Sequence, residues 1–430
     1  MTPSGKDVTL SDAPGTDTVS VQIAEAMAGV SIAQIDSVRS AVQPNVTHVV
    51  VTDSDGVTGV GETFYGASSV EAHLHDVIVP AIASDRPAAT PFDVSRVLQD
   101  YVGYAGSGSE VRARSALDIA LWDIAAKRLG VSLSKLIRPS SSTSIPVYNT
   151  CSGALYVNQQ SRQSSTNWGI AESKPDGPYE DLWGFLNEPG RLARELLDAG
   201  FTGMKVWPFD LAAEEARGGT DADFRFGLRV LDDIREAVGS SMEIYVELHS
   251  LWQFDAAEKL IRELSRFDVA WVEDPIRADN IEGLRALRDM ATMPIAVGEN
   301  LGAGLNGYPL IIEAEAVDVM IMDLGWCGGI TEALPWQEAA GRKGMSVAYH
   351  DCTGPVSLAV ATHVSLASGH TKVQEVARAF AHTWYSDMAT GLPTISSGRI
   401  TVTEEAGHGV TLTPEFLAAT DTHIRSSMMN

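Results

Sequence analysis

Three short apolar runs, each closed by a glutamate, recur at a fixed interval: Ile244-Tyr-Val-Glu247, Ala270-Trp-Val-Glu273 and Ile295-Ala-Val-Gly-Glu299. The glutamates stand 26 residues apart both times, at 247, 273 and 299. That interval has room for one buried strand, one helix and two turns. Runs of the same kind occur at Ile145–Asn149, Gly203–Trp207, Val319–Met322, Ser346–Tyr349 and Lys372–Glu375. Helical stretches separate the later runs: Trp252–Arg266, Asn280–Met290, Ile330–Lys343 and Val356–Ser368. Eight such units predict a closed parallel (β/α) barrel spanning residues 141–385.

The 430 residues exceed one ordinary core, so a second domain is expected. Residues 32–140 read as an α+β capping domain. Val46–Thr52 and Val57–Glu62 flank the turn Asp55-Gly56, which predicts a hairpin. Leu117, Leu121 and Ile124 set a helical period over Ser109–Leu129, with Gly130 as its stop. Residues 386–430 are expected to pack back on this domain. Residues 1–31 read as a disordered tail, with Val21–Ala28 its one stretch of helical capacity. The polar segment Ser152–Glu188 follows the first barrel strand and is expected to lie over the barrel mouth.

Composition narrows the partners. A formal net charge of −25 argues against nucleic acid and anionic membranes, which require a basic face. No run is apolar and long enough to span a membrane, and the N-terminus lacks a signal-peptide pattern. Cys151, Cys327 and Cys352 are odd in number and unpaired in spacing. They read as reduced thiols in a cytoplasmic protein.

In a barrel of this type the chemistry sits at the C-terminal ends of the strands. The polar residues there are Lys205, Glu247, His249, Glu273, Asp274, Glu299, Asn300, Asp323, His350, Asp351 and Glu375. Three converging carboxylates suit a hard, oxygen-liganded cation, Mg²⁺ first and Mn²⁺ second. Asp323 and His350 end adjacent strands, so the carboxylate can fix the imidazole tautomer for acid–base work. Lys205 places an ammonium beside the cation site, where negative charge would develop. His249 either faces the substrate as an acid or covers the metal glutamate. Gly302-Ala-Gly304-Leu-Asn-Gly307 fits a dinucleotide fingerprint by spelling, but it lies mid-barrel rather than opening a βαβ unit.

These residues resemble the enolase superfamily, and within it the mandelate racemase/muconate lactonizing enzyme-like proteins. The resemblance runs from about Ile32 to the C-terminus. It is carried by the helix Ser115-Ala-Leu-Asp-Ile-Ala-Leu-Trp-Asp-Ile-Ala-Ala-Lys-Arg-Leu-Gly130, by Trp271-Val-Glu-Asp-Pro275, Gly298-Glu299, Asp323 with Gly328-Gly329, and His350. It implies Glu247, Glu273 and Glu299 as Mg²⁺ ligands, His350–Asp323 as the acid/base dyad, and Glu375 as an electrophilic hydrogen-bond partner of the substrate carboxylate. The implied reaction removes the proton α to a carboxylate, giving an enediolate. Many relatives carry Lys-x-Lys on the second strand. Here the sequence is Lys205-Val-Trp207, which has no second base and points away from two-base racemisation. Dehydration of an acid sugar to a 2-keto-3-deoxy acid is therefore expected. Alternatives are a cycloisomerase of a sugar lactone or anhydro-sugar acid, an epimerase or racemase, and more remotely a non-catalytic binding protein. Tyr65, Asn149 and Trp207 are candidate substrate contacts, and the resemblance implies a homo-oligomer.

Overall fold

The computed structural model describes residues 16–99, 108–159, 164–170, 173–175, 177–299, 301 and 307–429. The first fifteen residues of the expected tail, Asn300 and residues 302–306 of the glycine run lie outside the described residues.

A four-stranded antiparallel sheet forms one layer of the N-terminal half. Its strands are β1 (Ile32–Arg39), β2 (Val46–Asp53) and β3 (Thr58–Phe64), with the C-terminal strand His423–Met428 pairing against β1. The helix Ser109–Leu129 covers the face of β2 and β3 and ends on Gly130 in the left-handed conformation (φ 67°). Helix and strand touch at backbone distance. A Cβ on Gly61 would fall 1.8 Å from the Ala116 carbonyl oxygen, so only glycine fits there.

A helix at Thr16–Ala26 corrects the expectation of a disordered tail through residue 31. Val19, Ile23 and Met27 recur every four residues and are buried. The polar average of the segment hid this stripe, and burial of side chains of this kind stabilises by about 1.5–3 kcal/mol each.

Eight parallel strands build the second half: β4 (Ile145–Thr150), β5 (Gly203–Val206), β6 (Glu243–Glu247), β7 (Trp271–Glu273), β8 (Ile295–Val297), β9 (Val319–Met322), β10 (Ser346–Tyr349) and β11 (Gln374–Val376). The ladder runs without a break from β11 through β4 to β10. Side chains link the remaining edge, where Gln374 Nε2 donates to the Tyr349 carbonyl at 3.1 Å. All eight predicted strands are present, and the fold is a (β/α) barrel capped by an α+β domain. Its interior is filled by Tyr148, Tyr245, Trp271 and smaller apolar residues, so the barrel is a packed core with its chemistry at one end.

Candidate active site

Each candidate residue is placed by the end of its strand. β6 and β7 pair in register so that Glu247 lies beside Glu273, and Glu299 follows β8 by two residues. Carboxylate oxygens of Glu247, Glu273 and Glu299 all lie within 4.8 Å of one another, and all three residues are buried. Burial raises Glu247 to about 7 and Glu273 to about 8; Glu299 is raised by the same cause. Like charges add to the rise, while Lys205 opposes it.

The partners of these carboxylates show what the cluster lacks. Glu247 Oε1 accepts from the backbone N–H groups of Leu248 (3.0 Å) and His249 (2.7 Å). Trp271 Nε1 donates to Glu273 Oε2 at 2.9 Å. Lys205 Nζ lies 2.8 Å from Glu375, 3.2 Å from Glu273 and 3.6 Å from Glu247. Glu247 Oε2 is fully buried and, among the described residues, accepts no hydrogen bond; the Lys205 ammonium lies 3.6 Å from it. Three clustered carboxylates, one with an oxygen that accepts no hydrogen bond, fit a divalent cation of the Mg²⁺ type, which would satisfy such oxygens without further donors.

His350 stands at the end of β10, its Nδ1 held by Asp323 Oδ2 at 2.7 Å. Asp323 is fixed in turn by the Gly325 N–H at 2.7 Å. Nε2 of His350 faces the cluster, 3.5 Å from Glu299. Burial opposes protonation of His350, but Glu299, the Asp323 hydrogen bond and Glu375 outweigh it and hold the imidazole well above its usual range. His249, at the end of β6, has its Nδ1 2.6 Å from Asp210 Oδ2. Burial again opposes protonation, and Asp210 with Glu247 pushes His249 up to about 10. β6 and β10 are four places apart among eight strands, so the two histidines face each other across the mouth.

Both line one cavity of about 240 Å³, together with Lys205, Glu299 and Glu375. Glu247, Glu273 and Asp323 are not in the lining but contact it through Glu299 and His350. The cavity volume lies just below the roughly 300–1,000 Å³ usual for ligand pockets. Glu375 accepts from Lys205, from Thr150 Oγ1 and from the Asp351 N–H (3.1 Å). Burial would raise it, but Lys205 and His350 hold it below the usual carboxylate range. Asp274 and Asp351 do not reach the cavity: Asp274 accepts from the Gly298 N–H, and burial keeps Asp351 far above the usual carboxylate range.

Of the candidate substrate contacts, Tyr65 and Trp207 line the cavity. Asn149 does not. Its amide donates to Asp181 at 2.8 Å and its oxygen accepts from the Arg378 N–H at 3.0 Å, so it ties β4 to the helix Asp181–Asn187. Sequence reasoning missed Asp210, Trp326, Tyr156 and Trp168, all of which line the site. Trp326 lay inside a quoted run, between Asp323 and Gly328, and a bulky aromatic one turn past a strand end was a usable signal. Asp210 carried none. Tyr156 and Trp168 belong to the segment expected over the mouth, which marked their region but not their identity.

The comparisons agree with this architecture. Residues 18–138 match the N-terminal domain of mandelate racemase / muconate lactonizing enzyme, and residues 189–416 match the enolase C-terminal domain-like family. The chain belongs to the enolase superfamily, mandelate racemase-like. Among solved members, an enolase protein from Sargasso Sea environmental sequence is 35% identical, with TM-score 0.79 over 93% of this chain and 99% of that one. An enolase of the mandelate racemase subgroup from Agrobacterium tumefaciens is 34% identical, with TM-score 0.78 and the same coverage. Among curated superfamily members, a D-xylonate dehydratase from Haloferax volcanii is 25% identical over 91% of this chain and 90% of its own length. A D-galactonate dehydratase from Xanthomonas euvesicatoria is 26% identical over 76% of each.

Proposed function

We propose that this superfamily member is a Mg²⁺-dependent hydro-lyase that converts an acid sugar to a 2-keto-3-deoxy acid. The observation that carries the reading is the opposition of two carboxylate-held histidines across one cavity that Glu299 lines, with Glu247 and Glu273 clustered against Glu299. The curated relatives named D-xylonate and D-galactonate dehydratases favour the same chemistry. Glu247, Glu273 and Glu299 would hold the cation, which supplies charge stabilisation at the substrate carboxylate and offsets the pull of Glu299 on His350.

The remaining work falls to side chains. Asp323 fixes His350 so that Nε2 faces the substrate and takes the proton from the α-carbon. Lys205, buried among Glu247, Glu273 and Glu375, is held charged and stabilises the enediolate oxygen. On the opposite face, His249 is held protonated by Asp210 and donates to the departing β-hydroxyl. The α C–H and β C–O bonds break, an enol forms, and water leaves. The enol then becomes the 2-keto acid. Trp207 offers no base where a second lysine would stand, so return of the proton to the opposite face of the α-carbon by a lysine, as two-base racemisation requires, is not provided for.

His350→Asn keeps a polar side chain of similar reach and removes the base. Turnover, read as 2-keto acid with semicarbazide, should fall by about 10²–10⁴-fold. The Mg²⁺-induced rise in melting temperature should persist. Undiminished turnover would refute the dyad assignment. Absence of both α-proton exchange in D₂O and 2-keto product across an acid-sugar library would refute the enzymatic reading.

A further inference from the structure

A second cavity lies where the capping domain meets the barrel, and it shares no lining residue with the catalytic one. Its volume is about 250 Å³. The helix Thr16–Ala26 contributes Val19, and the helix Ile330–Arg342 contributes Leu334 and Gln337. Phe92 and Trp122 stand edge to face in its wall, with 5.6 Å between ring centroids and 69° between planes. The polar edge of that wall is engaged, since Trp122 Nε1 donates to Thr331 at 2.9 Å. Leu136 and Ala367 add to the apolar lining. An apolar cavity of about 150 Å³ already holds benzene, so this one has room for a substituted ring.

Two donors of this cavity have no acceptor among the described residues. Gln337 is 3% exposed, and its Oε1 accepts from the Tyr349 hydroxyl at 2.7 Å. That bond fixes the amide and leaves Nε2 as a buried donor facing the lining, a group that is costly to bury unpaired. Arg138 is exposed, lines the cavity as well, and its guanidinium forms no ion pair among the described residues. The carboxylate in the lining, Glu338, is turned to His370, 3.3 Å from its Nε2. Thr18 and Gln22 also line the cavity and are exposed. Burial orders the two free donors: the amide is deep, and the guanidinium stands where solvent enters.

We propose that this second cavity is a binding site for a hydroxyaryl carboxylate. The ring packs on Phe92 and Trp122, the phenolic oxygen accepts from Gln337 Nε2, and the carboxylate pairs with Arg138. An aromatic body suits a wall already built of edge-to-face rings. A carboxylate suits a guanidinium that lacks a partner, because the bond is charge-assisted. The site stands apart from the enolisation chemistry and makes no use of the glutamate cluster.

The test uses the full-length protein with Mg²⁺ and three compounds: p-hydroxyphenylpropionate, phenylpropionate, and the amide of the first. Binding is read by titration calorimetry and by the rise in melting temperature. The hydroxy acid should bind, and loss of either its hydroxyl or its charge should weaken binding about fivefold, as one hydrogen bond or one exposed ion pair would. Arg138→Gln should weaken both acids about fivefold and leave the amide within about twofold. Ala367→Leu, which fills the cavity, should weaken all three by about tenfold or more. Circular dichroism guards against misfolding of the second variant; the first alters only an exposed side chain. No binding at millimolar concentration overturns the proposal. So does phenylpropionate or the amide binding as tightly as the hydroxy acid. Binding that both variants leave unchanged also overturns it, and would place the compounds in the catalytic cavity.

Discussion

Two groups of buried carboxylates divide this molecule. One is at the barrel mouth; the other is in the seam where the capping domain meets the barrel. In the seam, Glu62 accepts from the N–H groups of Val356 (3.3 Å) and Ser357 (3.0 Å), capping the helix Pro355–Ala367. Asp118 accepts from the Thr331 N–H and hydroxyl, capping the helix Ile330–Arg342. Asp123 accepts from Val60 N–H, His408 N–H and Lys127 Nζ. Burial raises Asp118 to about 7, much as it raises the mouth glutamates, so burial alone does not separate the groups. The partners do. Seam carboxylates are each surrounded by donors from another element, whereas mouth carboxylates face one another. The first pattern holds two domains together; the second stores repulsion that a bound cation would relieve.

Two histidines repeat the contrast. His363 is buried in the seam, its Nδ1 accepting from the Ser134 N–H at 3.1 Å. Burial, helped by His408, pushes it down to about 3, whereas the carboxylates around His350 push that residue up. The largest expected effect follows from the lowered value. A folded pKa near 3 against an ordinary 6.5 means that protons favour the unfolded chain. The contribution of His363 is therefore full above about pH 6.5 and is lost as pH falls toward 3, with a ceiling of roughly 4–5 kcal/mol. His363→Gln, which keeps one donor and one acceptor, should flatten the pH dependence of urea stability in that window by up to about 1.4 kcal/mol per pH unit. Parallel slopes for the two proteins would assign the acid sensitivity elsewhere.

At the mouth, Glu247→Gln should cost more in cation binding than in folding. Mg²⁺ affinity, read from the metal-dependent shift in melting temperature, should fall by more than the ~10–100-fold typical of losing an outer-shell partner. Without Mg²⁺ the variant should be at least as stable as wild type, because one of three opposed charges is gone. A variant that is destabilised without metal and still responds to Mg²⁺ would place Glu247 in the structural class.

Much of this division was legible in the sequence. The even spacing of Glu247, Glu273 and Glu299 located the mouth because strand period and strand–helix length are local properties. The eight strands were readable for the same reason. The run Ser115–Gly130 was recognisable, yet its role became visible only in three dimensions. Ser115 accepts from Gly328 N–H, Trp122 donates to Thr331, and Asp118 leaves no room for a Cβ on Gly329, which has φ 88°. Those pairings join residues about 200 apart, and no period encodes them. Asn149 failed as a substrate contact for the opposite reason. Its strand-end position was right, but Asp181 and Arg378 come from elements whose approach the strand does not dictate. Asp210 was invisible because one aspartate in a loop has no pattern until His249 is placed beside it.

The smallest expected effect tests the seam from its most mouth-like member. Glu62 is fully buried, lies two residues before the end of β3 and sits beside His48, so by burial and strand position it imitates the mouth glutamates. Its two oxygens nevertheless meet backbone N–H groups at a helix N-terminus, where a carboxylate is favoured by the aligned peptide dipoles. Glu62→Gln would turn an amide NH₂ toward one of those donors and leave it without an acceptor. The loss should be about 1–3 kcal/mol of stability in urea denaturation. Turnover should change by less than about tenfold, because the helix remains anchored at its other contacts, and the Mg²⁺-dependent rise in melting temperature should survive. Loss of the Mg²⁺ response in Glu62→Gln with stability intact would break the comparison, since a carboxylate satisfied by backbone would then be acting as part of the cation site.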